Sequence, residues 1–125
     1  MEENEISTKI IGAAIEVHRQ LGPGLFENSY RQCLHHELKS RGLSVSNGVP
    51  VPIIYKGEKL DAGYHLDLLV EDKVIVEVLA AEAKTKVHFT ELLTYLKLKD
   101  KKLGLLINFN THLLKDGIQR VVNNL

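Results

Sequence analysis

Residues 65–79 read HLDLLVEDKVIVEVL, and this pattern predicts the two strands of a β-hairpin. Apolar residues predominate from Tyr64 to Val70 and from Val74 to Ala80, and the charged residues 71–73 separate the two runs. The second run is apolar on both faces, which is typical of a strand buried at the centre of a sheet. Glu77 is the charged residue that interrupts it. Because a buried carboxylate normally needs a partner or a metal, Glu77 points to a functional site.

Asp67 is the carboxylate that the hairpin brings to Glu77. A three-residue loop, which is a common hairpin length, would place Val70 opposite Val74 and therefore Asp67 opposite Glu77. The two Cβ atoms would then lie about 5 Å apart on one face, whereas a two-residue loop would put the carboxylates on opposite faces. A divalent cation relieves the repulsion between two such close charges, and oxygen ligands favour Mg²⁺ or Mn²⁺. The alternative is that both acids pair with lysines at a sheet end.

Helical spacing appears on both sides of this hairpin. Apolar residues recur every three or four positions from Glu5 to Leu21, and Gly22-Pro23-Gly24 then ends the first helix. A second helix is predicted from Glu27 to Arg41, and a third covers residues 87–96. The apolar stripe of the second helix consists of Tyr30, Cys33, Leu34 and Leu38. We therefore expect Cys33 in the core rather than as a nucleophile.

Three further segments complete the predicted order of elements. Val49 to Tyr55 is β-branched and contains two prolines, which favours an edge strand. Leu103 to Phe109 reads as a short buried strand, and a last helix is predicted over about Asp116 to Asn124, with Ile118, Val121 and Val122 on it. The order predicts one α/β domain spanning residues 1–125 with a mixed central sheet.

Composition limits the classes of function that fit. The chain has 125 residues, with 16 Lys plus Arg against 16 Asp plus Glu, so the formal net charge is zero. This balance excludes a protein that holds nucleic acid by bulk positive charge. Cys33 is the single cysteine, and no secretory signal or apolar run of membrane-spanning length is visible. We therefore expect a cytoplasmic protein without an internal disulfide.

The segment before the second helix carries a recognisable motif. Residues 24–30 read GLFENSY, which matches the G-x-x-E-x-x-Y signature. In this motif and in the ordered segments downstream of it, the chain resembles the small bacterial GxxExxY family, which belongs to the PD-(D/E)XK nuclease-like superfamily. The resemblance covers nearly the whole chain. It implies a restriction-endonuclease-like αβββαβ core, to which this chain adds an N-terminal and a C-terminal helix.

The resemblance also implies a set of metal ligands. The superfamily motif has an Asp on one strand and Glu-x-Lys on the next, and Asp67 and Glu77 match the two acids. Glu27 would correspond to an additional acid on a helix, and the Val78 carbonyl would be a further ligand. The predicted cofactor is Mg²⁺ or Mn²⁺, which activates the attacking water and neutralises developing charge.

The chain departs from the family pattern at two positions. The motif lysine, which helps to orient the water and to hold the phosphate, is replaced by Leu79. Lys84 or Lys86 would then take the role of that lysine; the alternative is that both are ordinary solvated charges. Related nucleases often carry Gln-x-x-x-Tyr on the later helix, and here the pair is Glu91 and Tyr95.

The function that the resemblance implies is Mg²⁺-dependent phosphodiester hydrolysis of nucleic acid. The expected catalytic residues are Asp67, Glu77, Lys84 and Tyr95, and the expected substrate-side residues are Tyr30, His88 and Glu91. The expected partner is nucleic acid and not a membrane, and a homodimer is left open. The alternative is a catalytically inactive module that kept the nuclease fold for binding or assembly.

Overall fold

The computed structural model describes residues 1–82 and 85–125, which form a mixed sheet covered by helices. The helices are α1 (Glu3–Leu21), α2 (Glu27–Ser40) and α3 (Lys86–Lys99), and the strands are β1 (Val45–Pro50), β2 (Ile53–Tyr55), β3 (Glu58–Leu60), β4 (His65–Val70), β5 (Val74–Leu79), β6 (Leu103–Asn108) and β7 (Ile118–Val122). Five strands form the main sheet in the order β1-β4-β5-β6-β7, and β2 and β3 form a separate hairpin. The predicted α/β fold with a mixed central sheet is confirmed.

The central strand is β5, as its two apolar faces predict. It pairs antiparallel with β4 and parallel with β6. Because parallel neighbours need a crossover connection, α3 lies between β5 and β6 in the chain. Val70 lies opposite Val74, so the predicted three-residue loop and its register are confirmed.

Each face of the sheet has its own apolar core. Alternate residues of β5, such as Val74 and Val76, pack with buried residues of α1 and α2. Ile75 points to the opposite face and packs with Leu92 and Leu96 of α3. Glu77 has the same parity as Ile75 and therefore projects on the α3 side of the sheet. This alternation explains why β5 reads as a continuous apolar run.

The predicted C-terminal helix is wrong. Residues 114–117 form a short 3₁₀ turn, and residues 118–122 form β7, which pairs antiparallel with β6 along its length. The spacing of Ile118, Val121 and Val122 is helical, but in the strand neighbouring residues point to opposite faces of the sheet. Val121 is buried on the α3 side, and Val122 is exposed. Pairing with β6 supplies the strand with backbone partners that lie far away in the chain and that local spacing does not reveal.

The predicted edge strand from Val49 to Tyr55 is interrupted. β1 ends at Pro50 and β2 begins at Ile53, where the chain leaves the main sheet to form the β2–β3 hairpin. The amide of Val51 donates to the carbonyl of Tyr64, 2.8 Å away, so the break lies beside the start of β4. β1 does lie at an edge of the sheet, as the prolines predict.

Cys33 is exposed, contrary to its predicted place in the core. Tyr30, Leu34 and Leu38 form the buried face of α2. At 100° per residue, Cys33 lies about 100° around the helix from the centre of that face. Cys33, three residues after Tyr30, therefore lies too far to one side of the buried face to be buried itself.

The longest helix, α1, buries one face against the sheet and exposes the other. Ile6, Ile10, Ala13, Ala14 and Val17 are buried, as predicted, whereas Leu21 at its end is exposed. No helix within residues 1–82 and 85–125 is both long and apolar enough to span a membrane.

Candidate active site

A cleft of about 170 Å³ opens just beyond the last paired residues of β4 and β5. The ladder between these strands ends with Leu68 opposite Val76. The residues that line the cleft are Glu27, His65, Asp67, Glu77, Val78, Leu79, His88, Glu91, Tyr95 and Leu106. Two helices and three strands thus contribute, and most of the residues predicted for the site lie together.

Asp67 and Glu77 are held by hydrogen bonds between side chain and backbone. The Asp67 amide donates to Oε2 of Glu77 at 2.8 Å, and the Val78 amide donates to Oδ2 of Asp67 at 2.8 Å. The carboxylates therefore satisfy backbone amides at the point where the strand ladder stops. This arrangement fixes the orientation of both acids towards one cleft.

Glu77 is a buried acid with a strongly perturbed pKa. Glu77 is only 8% exposed to solvent. Burial, and next the Asp67 carboxylate, raise the pKa of Glu77 to about 9, although the hydrogen bond from the Asp67 amide acts in the opposite direction. The site thus favours a neutral Glu77 unless a positive charge lies beside it.

Glu27 joins the cleft from the first residue of α2. Burial raises the pKa of Glu27, and the nearby Asp67 carboxylate raises it as well. The charge of Asp67 on the strand therefore acts on Glu27 on the helix, which is the effect expected of two neighbouring carboxylates.

Three predicted residues reach the cleft from α3. His88, Glu91 and Tyr95 all line it, which confirms that they share one side of the helix. Nδ1 of His88 accepts a hydrogen bond from the Thr85 amide at 3.1 Å, as part of a capping box at the start of α3. Burial, followed by the Glu91 carboxylate, raises the pKa of Tyr95, so its phenol stays protonated.

Leu79 takes the place of the motif lysine and lines the cleft two residues after Glu77. Of the two lysines considered as replacements, Lys84 lies outside the described residues. Lys86 lines a neighbouring hollow with Tyr64 and Val87 instead of the cleft.

Tyr30 is part of the core, contrary to the expectation that it faces the substrate. It is fully buried, and its ring stacks on Phe109 with centroids 4.6 Å apart. The Tyr30 hydroxyl donates to the Gly22 carbonyl at 2.6 Å and accepts from the Leu25 amide at 3.1 Å. Tyr30 therefore fixes the turn that leads into α2 and thereby supports the position of Glu27.

Arg31 is a site residue that the sequence reasoning missed. Its Nη1 lies 3.5 Å from Oδ1 of Asp67. In the part of the chain that the structure describes, this is the ion pair that involves a carboxylate of the cleft. The available signal was its position four residues after Glu27, which places both on one face of α2.

His65 is a second missed residue, and it lines the cleft from the start of β4. It precedes Asp67 by two residues, so the strand period places both on the same face. Its Nδ1 lies 3.0 Å from the Gly63 carbonyl.

The donors in the cleft match the preference of Mg²⁺ or Mn²⁺ for oxygen. Glu27, Asp67, Glu77 and Glu91 supply carboxylates there, and Val78 also lines the cleft. Across residues 1–82 and 85–125, no three His, Cys, Asp or Glu side chains lie close enough together to hold a metal ion. One oxygen each of Asp67 and Glu77 is engaged by a backbone amide, and Oδ1 of Asp67 lies 3.5 Å from Nη1 of Arg31. The carboxylates of the cleft thus fit Mg²⁺ or Mn²⁺ in their donor chemistry.

Comparison with known protein families identifies the family of this chain. The model of the PD-(D/E)XK nuclease superfamily matches residues 4–121. No significant match was found among curated proteins or among solved structures.

Proposed function

Because the chain belongs to the PD-(D/E)XK nuclease superfamily, we propose that it hydrolyses phosphodiester bonds of nucleic acid with Mg²⁺ or Mn²⁺. The observation that supports this most strongly is the pair of Asp67 and Glu77, fixed towards one cleft by reciprocal hydrogen bonds. The high pKa of Glu77 is the second support. An acid that stays protonated without a nearby positive charge is stabilised in its ionised form when a cation binds beside it.

Glu27, Asp67, Glu77 and the Val78 carbonyl would hold the cation. A bound divalent cation lowers the pKa of water and neutralises charge on the phosphate. Glu77 would release its proton as it becomes a ligand, since carboxylates bind metals in the ionised form. Metal affinity should therefore increase with pH.

The residues of α3 would act on the substrate. The phenol of Tyr95 is protonated at neutral pH and is therefore a hydrogen-bond donor, and its raised pKa keeps it protonated in more alkaline solution as well. His88 has its Nδ1 engaged by the Thr85 amide, which leaves Nε2 for a phosphate oxygen or a water. Glu91 adds a further negative charge beside Tyr95, so the cleft favours phosphate only when a cation is present.

A nuclease assay tests this proposal. The purified protein is incubated with single- and double-stranded DNA and RNA in Mg²⁺ or Mn²⁺, and products are resolved on gels. We expect cleavage that EDTA stops and that Asp67→Ala abolishes. Asp72→Ala, in the exposed hairpin loop, is the matched control and should cleave like the wild type. Equal cleavage by Asp67→Ala would disprove the site.

A second candidate function is a catalytically inactive module that binds nucleic acid or assembles with other chains. Leu79 in the lysine position and the contact of Arg31 with Asp67 both favour it. Binding of nucleic acid without cleavage in Mn²⁺ would support this candidate. Light scattering on the purified protein would show whether assembly includes a homodimer.

A further inference from the structure

A polar hollow of about 320 Å³ lies beside the start of α2 and β1, next to the cleft. The residues that line it are Asn28, Arg31, Gln32, Asn47 and Gly48. The lining therefore offers a guanidinium, three side-chain amides and a glycine backbone, and it contains no carboxylate. The cleft, in contrast, is lined by four acids. The two neighbouring depressions have opposite electrostatic character.

Arg31 connects the hollow to the cleft. Its Nη1 contacts Oδ1 of Asp67 at 3.5 Å, and its Nη2 donates to Oδ1 of Asn28. The first contact is long for a hydrogen bond, and the Arg31 side chain is 41% exposed, so the pair with Asp67 is a weak one. A guanidinium has five N–H donors, and these two contacts leave donors available for a ligand.

Arg31 and Asn28 supply hydrogen-bond donors to the hollow. Asn28 has its carbonyl oxygen engaged by Arg31, so its NH₂ group is the part left for a ligand. Asn47 is held by its Nδ2, which lies 2.8 Å from Nδ1 of His35. Gln32, which follows Arg31 on α2, is exposed. The guanidinium of Arg31 supplies the positive charge of the hollow. A ligand for this lining carries negative charge and several acceptor oxygens.

We propose that this hollow binds a backbone phosphate of the nucleic acid, adjacent to the phosphate that lies in the cleft. This inference rests on the proposed function. The planar fork of arginine matches two phosphate oxygens, and phosphate contacts set the register of a protein on nucleic acid. Arg31 thereby provides a positive charge beside the cleft. Leu79, which replaces the motif lysine, provides none inside the cleft. The chain needs such a local site because its net charge is zero.

Fluorescence anisotropy with a labelled single-stranded DNA oligonucleotide tests the phosphate site. The titrations use Ca²⁺, which takes the same oxygen ligands, and are repeated over a range of salt concentrations. We expect Arg31→Ala to weaken binding roughly 10- to 100-fold. The slope of log K against log salt should fall by about 0.7. Arg31→Lys should keep the slope of the wild type, because it keeps the charge.

Arg41→Ala is the matched control. The Arg41 side chain is also 41% exposed and pairs with Glu37 at 2.7 Å at the other end of the same helix. Its loss should leave affinity and salt slope unchanged. Gln32→Glu adds an acid to the hollow without removing a described contact and should also weaken binding, whereas Asn124→Asp adds the same charge at an exposed position and should not.

The outcomes separate this inference from the proposed function. Equal affinity and salt slope for Arg31→Ala and wild type, together with cleavage by the wild type in Mn²⁺, would overturn the phosphate site alone. Binding that depends on Arg31 but is never followed by cleavage would overturn hydrolysis and support the phosphate site. No binding by the wild type, together with no cleavage of any of the four nucleic acids in Mn²⁺, would overturn both.

Discussion

The backbone amide of Asp67 donates a hydrogen bond to Oε2 of Glu77 across 2.8 Å. Asp67 in turn accepts from the Val78 amide at the same distance. The two strands are thus joined by their acidic side chains just past the last backbone pair, Leu68 opposite Val76. Each acid supports the other strand while both line the cleft, so a change to either residue affects local structure and cleft charge together.

The first prediction concerns the pH dependence of stability. The pKa of Glu77 is raised from 4.5 to about 9, so between these pH values the folded state holds a proton that the unfolded state has released. Stability should therefore fall as the pH rises through this window. Glu77→Gln keeps the acceptor for the Asp67 amide and removes the titration. In EDTA at pH 7 it should raise the free energy of unfolding by on the order of 2–3 kcal/mol.

Urea denaturation at pH 5 and pH 8 measures this effect. Glu58→Gln, on the exposed strand β3, is the control and should change stability little. A pH dependence that Glu77→Gln leaves as steep as in the wild type would show that Glu77 is ionised in the folded protein.

The second prediction separates the structural role of Tyr30 from a role in substrate binding. Tyr30→Phe removes the hydroxyl that contacts the Gly22 carbonyl and the Leu25 amide. It should lower the free energy of unfolding by about 1–2 kcal/mol, as measured in urea. Tyr55→Phe, whose residue is 58% exposed, should change it by less than about 0.5 kcal/mol. Unchanged stability with weakened binding of nucleic acid would instead place the Tyr30 hydroxyl at the substrate.

The third prediction restores the motif lysine. Leu79 lines the cleft and is half-buried, so Leu79→Lys would extend an ammonium towards the phosphate. It should raise the rate of Mn²⁺-dependent cleavage by about tenfold or more, because a positioned cation stabilises transition-state charge. Gel assays under single-turnover conditions measure the rate.

Val122→Lys adds the same charge on β7, where Val122 is 48% exposed, and should leave the rate unchanged. If Leu79→Lys folds and still cleaves no faster than the wild type, the absent lysine is not what limits the site.

The hairpin and its acids could be predicted from the sequence because they depend on local rules. Three residues between two apolar runs fix the register, and the register fixes which side chains face each other. Asp67, Glu77 and the residues on one side of α3 lie in the cleft for this reason. Glu27 was identified through the family motif, since no spacing rule connects α2 to the hairpin.

The features that sequence reasoning missed depend on long-range contacts. Arg31 reaches Asp67 across 36 positions of the chain, and β7 is a strand because it pairs with β6. Helical spacing in Ile118, Val121 and Val122 gives no sign of that pairing. Cys33 shows a limit of a different kind. Tyr30 lies at one side of the narrow buried face of α2, and a step of three residues from Tyr30 leads further to that side, so Cys33 lies outside the core.

The most direct test of the central claim is isothermal titration of Mn²⁺ into the wild type, Asp67→Asn and Glu77→Gln. Both variants keep an oxygen acceptor for the backbone amide and remove the carboxyl group that would ligate the cation in its ionised form. Asp72→Asn, in the exposed hairpin loop, serves as control. We predict that the wild type and Asp72→Asn bind Mn²⁺ with similar affinity, and that both site variants bind at least about tenfold more weakly. No binding by the wild type at millimolar Mn²⁺, or equal binding by Asp67→Asn, would contradict the claim that this carboxylate pair is a divalent-cation site.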